Sequence, residues 1–491
     1  MYLTRCFFSL YFILIGFNAK GETVLLSDQA LLKMISDQTP SVARIRSAFY
    51  AGQAALEVQK DQFALEGYSS AGIRGTKERA LLEFSPVFSP IRTGQIGVKK
   101  QFQYGVSLDA NVSVDQRSAT SSLFTISNGT TLSGQLSLSF DLWKDFLGRT
   151  SSSKLTDLEM SAQRAVWEEK INIHLFKINV RRLYWRLVAN QESQILTESL
   201  LKTAEVQLKD AEKRQANSIA DSSEVARYQS QVADRKANLV FLNYQKNILV
   251  QDLKNLLPQL KKESLELKPY DLDQTVQQVL ACTKKISEFK EAPLENTYYD
   301  EILKTLEKQK TVRLKADRAY NDIDLKLNTQ LGTTGVDAGN GTGTLSGAFS
   351  DLSGRNRMGY AVGLELTVPL SASKNRTQRM QELRDQYQLD AEQVELKTKI
   401  EVAHRQLLES MNSLTQVVRL QRKNSEFLRK RLKGLRKKYN QARIDVSTLV
   451  NDQSAQLSAD LSVIESQTHV LNALFEYLSI FTQTPCEFNR S

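Results

Sequence analysis

Apolar and polar residues alternate strictly over two stretches in each half of the chain. Phe102, Tyr104, Val106, Leu108, Ala110, Val112 and Val114 interleave with Gln103, Gly105, Ser107, Asp109, Asn111, Ser113 and Asp115. After a Ser/Thr-rich tip over 116–130, Leu132, Leu136, Leu138, Phe140 and Leu142 fall on the same parity. The second half repeats this with Ile323, Leu325, Leu327 and Leu331, then with Tyr360, Val362, Leu364, Leu366 and Val368. Successive side chains of a strand point to opposite faces, so each stretch predicts a strand with one apolar and one polar face. A loop over 332–357 holding seven glycines separates the second pair. Residues 63–100, with Gly67, Gly72, Gly75, Pro86 and Pro90, leave a further strand or hairpin open.

Behind each pair of strands the period changes. Residues 149–257 contain neither Gly nor Pro, and 370–484 contain no Pro and one Gly, Gly434. Apolar residues there recur at three- and four-residue steps, as in Leu428, Leu432, Leu435 and Tyr439, which is coiled-coil spacing. Long helices are expected over 154–215, 222–256, 374–439 and 446–483, the first of them ~90 Å long at 1.5 Å per residue. Asp221 or Ser222, with Glu224 in the first turn, caps the second. Leu136–Phe140 matches Leu364–Val368, so the chain contains two strand-strand-helix-helix repeats. The expected division is N-terminal helices over 22–62, broken near Pro40; strands over 63–150; long helices over 151–257; short packed elements over 258–298; a helix over 299–320; strands over 321–371; long helices over 372–484; and a tail over 485–491.

The first 21 residues read as a secretory signal: Arg5 supplies a positive charge, Cys6–Phe17 is apolar, and Ala19-Lys20-Gly21 offers a cleavage site. That run is shorter than the ~20 residues a membrane-spanning helix needs, and no later run is longer. An exported chain can still enter a membrane as a closed β-barrel. The two-faced strands fit that reading, with apolar residues toward lipid and polar residues toward a wet lumen. A soluble sandwich is the alternative. Four strands cannot close alone, whereas three chains of four would give twelve. Of the cysteines, Cys6 leaves with the signal, and Cys282 and Cys486 either pair in an oxidising compartment or remain thiols. The net charge of +10 becomes +8 when Arg5 and Lys20 leave (10 − 2), and export argues against nucleic acid as its partner. No catalytic, metal or cofactor constellation stands out. His174, His404 and His469 lack a His-Glu-x-x-His spacing, and no phosphate-binding Gly-x4-Gly-Lys-Ser/Thr motif occurs. The chain is not expected to be an enzyme.

The strand Val362-Gly-Leu-Glu-Leu-Thr-Val-Pro-Leu370 runs straight into a long helix, as Leu136–Trp143 does in the first half. With Tyr184-Trp185 and the opening Gln38-Thr-Pro-Ser-Val42, the order and spacing of these motifs resemble the TolC family of outer-membrane efflux proteins. The resemblance implies a homotrimer: a 12-stranded transmembrane barrel, continued by a periplasmic α-helical barrel. It would serve as the passive exit duct of a tripartite efflux or type I secretion system, working with a periplasmic adaptor and an inner-membrane pump. The competing reading is an exported helical stalk with a small β-domain, structural or adhesive. In a barrel the apolar faces of all strands stay outward, whereas a stalk needs only a buried sheet.

In that family the tunnel narrows near the break within each helical run, here around 216–224 and 440–447. Glu224, Tyr439 and Arg443 are the residues expected to link helices there, an Arg–carboxylate bond being the strongest candidate. Thr448 and Asn451 stand where the family often carries acids, with Asp445 and Asp452 near enough to substitute. The family's frequent turn glycine is replaced by Ala442 in one repeat and by Asn217 or Ser218 in the other. Residues 419–443 carry eleven Lys or Arg and one acid, Glu426. Such a run is either a solvated helix face or, at Arg429, Lys433 and Lys437, a grip for acidic adaptor hairpins.

Overall fold

The computed structural model describes residues 23–76, 88–119, 128–218, 221–286, 295, 297–319, 323–338, 343–353, 358–368, 370, 372–441 and 443–481. The expected signal segment, the C-terminal tail, Cys486 and Ala442 lie outside them. In chain order the elements are β1 (Thr23–Leu26), α1 (Asp28–Met34), α2 (Pro40–Asp61), β2 (Leu65–Arg74), β3 (Phe88–Phe102), β4 (Val106–Ala119), β5 (Asn128–Asp141), α3 (Arg149–Ala216), α4 (Ser222–Leu256), β6 (Ser264–Leu267), α5 (Leu272–Ile286), α6 (Tyr298–Ala319), β7 (Asp324–Asp337), α7 (Leu345–Leu352), β8 (Met358–Thr367), α8 (Ala372–Asn440) and α9 (Val446–Leu478). They form two compact units, one drawn from 46–171 and 294–399, the other from 1–45, 172–293 and 400–491.

The first unit carries one sheet in the order β2-β3-β4-β5-β7-β8, each neighbour antiparallel. Among the described residues, six strands stand where the alternation marked four. Segment 63–100 supplies β2 and most of β3, and the first alternating run turns out to cross a turn. Gln103-Tyr104-Gly105 separates β3 from β4, with Phe102 paired to Val106. Three turn residues leave an even spacing between the paired positions, so the apolar parity passes through the hairpin in phase and hides it. Gly105 takes φ +72°, a left-handed conformation that an L side chain rarely adopts. β5 pairs with β7 through Leu136–Leu331 and Phe140–Leu327, which joins the two repeats along one apolar face.

The expected 332–357 loop is shorter than the glycines implied. β7 continues to Asp337, and α7 lies over β5 and β7. Gly335, Gly343 and Gly347 allow close approach: a Cβ on Gly335 would sit 2.1 Å from the Ala348 carbonyl oxygen. Thr130 Oγ1 donates to the Gly343 carbonyl at 2.8 Å, and Asp337 accepts from the Thr344 amide at 2.8 Å, which fixes α7 on the apolar side of the sheet.

Helices of the same unit are bound by small residues and ion pairs. Gly52 of α2 lets the Ala165 methyl approach, and Gln53 Nε2 donates to the Ala162 carbonyl at 3.0 Å. Arg164 of α3 bridges Glu168 at 2.7 Å and Glu392 of α8 at 2.6 Å, and its two carboxylate partners outweigh the burial that disfavours its charge.

In the second unit β1 pairs in parallel with β6, and α5 packs against α9. Within the described residues of 258–286, β6 and α5 are thus fastened to β1 and α9. Arg181 of α3 forks onto both Asp28 oxygens, at 3.0 and 2.6 Å, with its guanidinium 5.4 Å from the centre of the Phe475 ring. Tyr184 and Trp185 are buried in edge-to-face contact, and burial raises the Tyr184 hydroxyl pKa to about 12. Cys282 is disulfide-bonded. His174 lies 2.6 Å from the Leu478 carbonyl, with its pKa lowered by burial, and His404 is buried beside Tyr477 and Phe481. Both serve packing. No described helix is long and apolar enough to cross a membrane.

Candidate functional site

The second unit brings together the two helix-to-helix breaks that the sequence marks. At the first, Ser218 takes φ +58°, the left-handed residue that ends α3 without a glycine. Asp221 then caps α4 by accepting from the Ser223 amide at 3.4 Å. At the second, Asp445 caps α9: it accepts from the Thr448 amide at 2.9 Å and from the Thr448 and Ser447 hydroxyls at 2.6 and 2.8 Å. Hydrogen bonds from Thr448 and Ser447 hold the Asp445 carboxyl at a pKa of about 2, below its ordinary 3.8. Since the folded-state pKa is depressed, this contribution is complete above the ordinary carboxylate range and is lost as pH falls through about 2. Asp445→Ala is therefore expected to speed amide exchange at residues 446–449 at pH 7 but not at residues deep in α9, as measured by hydrogen exchange.

Across these turns three side chains meet. Arg214, in the last turn of α3, donates to both Glu224 of α4 and the Tyr439 oxygen of α8, and the Tyr439 hydroxyl donates to the same Glu224 oxygen. The Arg214 guanidinium also lies 5.3 Å from the Tyr439 ring centre. Burial opposes the Arg214 charge, but Tyr439 and Glu224 outweigh it and its pKa is raised. Beneath them Tyr228 is 1% exposed, packed with Ala211 and Val225 and flanked by Leu208, Val446 and Val450. Burial, then the neighbouring Tyr439 hydroxyl, raises its pKa. Burial also raises that of Tyr439, followed by its bond to Glu224. Both phenols therefore stay protonated through the neutral range, and what they contribute declines only as pH climbs past the ordinary tyrosine value of 10.0.

Of the residues expected at this turn, Glu224 and Tyr439 are in contact, whereas Arg443 is exposed and the arginine on Glu224 is Arg214. Arg214 and Tyr228 escaped the sequence reading. Tyr228 lies one helical turn after Glu224, on its face of the helix, which is the signal that pointed to it. Thr448 is occupied by the Asp445 cap, Asn451 is exposed, and Asp452 is held by Arg431 at 2.8 Å. Both nearby acids are thus engaged within the chain. Behind the turn a glutamine ladder joins three helices: Gln231 donates to Gln453 at 2.8 Å, and Gln453 to Gln207 at 3.0 Å. Among the described residues, no three His, Cys, Asp or Glu side chains gather as a metal ion would need.

The basic run is partly internal. Arg429 reaches Asp460 at 3.5 Å, Lys430 reaches Glu426 at 2.8 Å, and Arg422 pairs with Asp273. Lys433 and Lys437 are exposed, without an ion pair among the described residues.

The chain matches no protein-family model and no curated protein. Solved structures do match over nearly its whole length. The outer-membrane protein VceC of Vibrio cholerae superimposes with a TM-score of 0.65 at 13% identity, covering 92% of this chain and 95% of that one. A membrane protein from Pseudomonas aeruginosa gives 0.64 at 14% identity, covering 92% of each chain. The MtrE outer-membrane channel of Neisseria gonorrhoeae, solved in its open state, gives 0.59 at 15% identity, covering 92% of this chain and 88% of that one. The fold is that of TolC-type outer-membrane channels.

Proposed function

We propose, from the fold that the chain shares with outer-membrane channels, that it is itself such a channel: a passive exit duct built from three copies. The sheet is its wall in the outer membrane, and the long helices are its periplasmic tunnel. The observation that carries this reading is the uncovered apolar face. Tyr360, Val362, Leu364 and Leu366 on β8 are 82%, 66%, 69% and 62% exposed, and Ile96, Val98 and Val112 continue the same face across β3 and β4. A soluble protein rarely leaves so wide an apolar surface in water, and a stalk with a buried sheet has no use for it. Polar residues line the opposite face: Ser107, Asp109, Asn111, Ser137, Ser139 and Asn328. That is the division a lumen and a lipid surface require.

A periplasmic adaptor and an inner-membrane pump supply the work, since the chain has no nucleotide-binding loop of its own. The contacts among Arg214, Glu224 and Tyr439 hold the tip shut, because they tie α8 to the α3–α4 turn. The surface open to the adaptor is the exposed basic stretch at Lys433 and Lys437, with Arg429 at its α9 side. Charge reversal at these three positions is expected to weaken adaptor binding, with the difference shrinking at high salt. Equal binding by the reversed variant at low salt removes this role. The duct itself is tested by adding the purified oligomer to a planar bilayer. Discrete current steps are expected, and their absence in both the native chain and a tip variant would count against it.

A further inference from the structure

Among the described residues, the sheet ends in two strands, β2 and β8, with one neighbour each. Lipid tolerates no open edge, because backbone N–H and C=O groups find no water there. Five antiparallel pairings lie between the two edges, so β2 and β8 run in opposite directions. β8 of one copy therefore meets β2 of the next antiparallel, and the ring closes without a parallel seam.

The β2–β3 hairpin is also built like the rest of the wall. Leu65, Gly67, Ser69, Ala71 and Ile73 share a face with Val98, Ile96 and Gly94, and through them with Ala110, Val112 and Val114, with Lys100 and Arg92 as the charged residues at the two ends of that run. On the other face Glu66 pairs with Lys99 at 2.9 Å, and the Tyr68 hydroxyl donates to Asp109 of β4 at 2.9 Å. The Tyr68 ring covers Gly97 so closely that a Cβ there would lie 2.6 Å from it. β3 has 15 residues beside the 14 of β4 and so spans the height of its neighbour, and the 10 residues of β2 equal those of β8 at the opposite edge. A plug inside a wet lumen would be polar on both sides. This hairpin keeps its apolar residues in register with those of the wall.

We infer that the β2–β3 hairpin is part of the barrel wall, and that the seam between copies joins β2 of one chain to β8 of the next rather than β4 to β8. The inference rests on the channel reading above. With six strands per chain, three copies close eighteen strands instead of twelve, and a barrel widens roughly in proportion to strand number.

Cysteine pairing in the full chain, oxidised in outer membranes, tests the seam. Leu65→Cys, Gly67→Cys, Ser69→Cys, Ala71→Cys and Ile73→Cys are each combined with Val362→Cys, and Val112→Cys with Val362→Cys is the comparison for a seam at β4. Opposite residues of antiparallel strands have Cα atoms about 4.5–5.5 Å apart, within disulfide reach. At least one β2 combination is expected to give a covalent ladder up to three copies on boiled, non-reducing gels, at about tenfold or more above the unaltered chain. The Val112 combination should give none. A ladder from the Val112 combination overturns the seam, as does a heat-sensitive oligomer with no ladder from any β2 position. A chain that forms no heat-sensitive oligomer in the outer membrane instead removes the channel reading beneath it.

Discussion

Tyr439→Phe is expected to open the tip. The substitution keeps the ring beneath Arg214 and removes only the hydroxyl that donates to Glu224 and accepts from Arg214. A hydrogen bond to a charged group contributes ~1.5–3 kcal/mol. The lower end applies because the Arg214 side chain is 32% exposed and solvent screens it. A loss of ~1.5 kcal/mol per copy shifts a closed–open equilibrium about tenfold. Single-channel recording should therefore show a rise in open fraction of that order or more. Glu224→Gln should act in the same direction, and the double variant should add little to either single, because the groups form one network. A Tyr439→Phe channel that opens no more often than the native one would remove the lock from the account.

Gly148→Ala is expected to cut assembly sharply. Gly148 follows Leu147 at the corner between β5 and α3, with φ +76°. A Cβ there would lie 1.9 Å from the Gln103 carbonyl oxygen and 2.9 Å from its carbon. These are backbone atoms of the β3–β4 turn, so no side-chain rotation relieves the overlap. The left-handed conformation adds ~1–2 kcal/mol for any residue with a Cβ. The corner must move, and with it the angle at which the strands feed the helix. The amount of heat-sensitive oligomer in outer membranes should fall by about tenfold or more. Gly434→Ala is the control. A Cβ there meets nothing within 4 Å, and the helix gains ~1 kcal/mol in propensity. Undiminished assembly of the Gly148→Ala chain would show that the corner is not fixed as described.

The repeat, the long helices and the two-faced strands were legible because each is a periodic signal. Stretches of more than a hundred residues with no Pro and at most one Gly leave few other architectures, and α3 and α8, at 68 and 69 residues, follow from that. The β3–β4 hairpin was hidden for a geometric reason: its three-residue turn preserves the parity on which the alternation rests. β2 escaped because its apolar face is thin, with Gly67, Ser69 and Ala71 where β4 has aliphatic residues. The glycines of 332–357 suggested a loop, whereas Gly335 and Gly347 are small because α7 and Asp337 press against them. At the tip, Glu224 and Tyr439 were found by their position beside the breaks. Of the two partners of Arg214, Tyr439 lies across the repeats, 225 residues away along the chain, where no local pattern records the contact, and Glu224 lies only ten residues on but beyond the turn that reverses the chain.

Under the proposed channel function, the six-stranded sheet is a membrane wall completed by other copies of the chain. The most direct test is the mass of the protein extracted from outer membranes with detergent, run on gels before and after boiling. A membrane-borne species of three mature chains, collapsing to a single chain on heating, is the predicted result. A monomer released in the water-soluble fraction would contradict it.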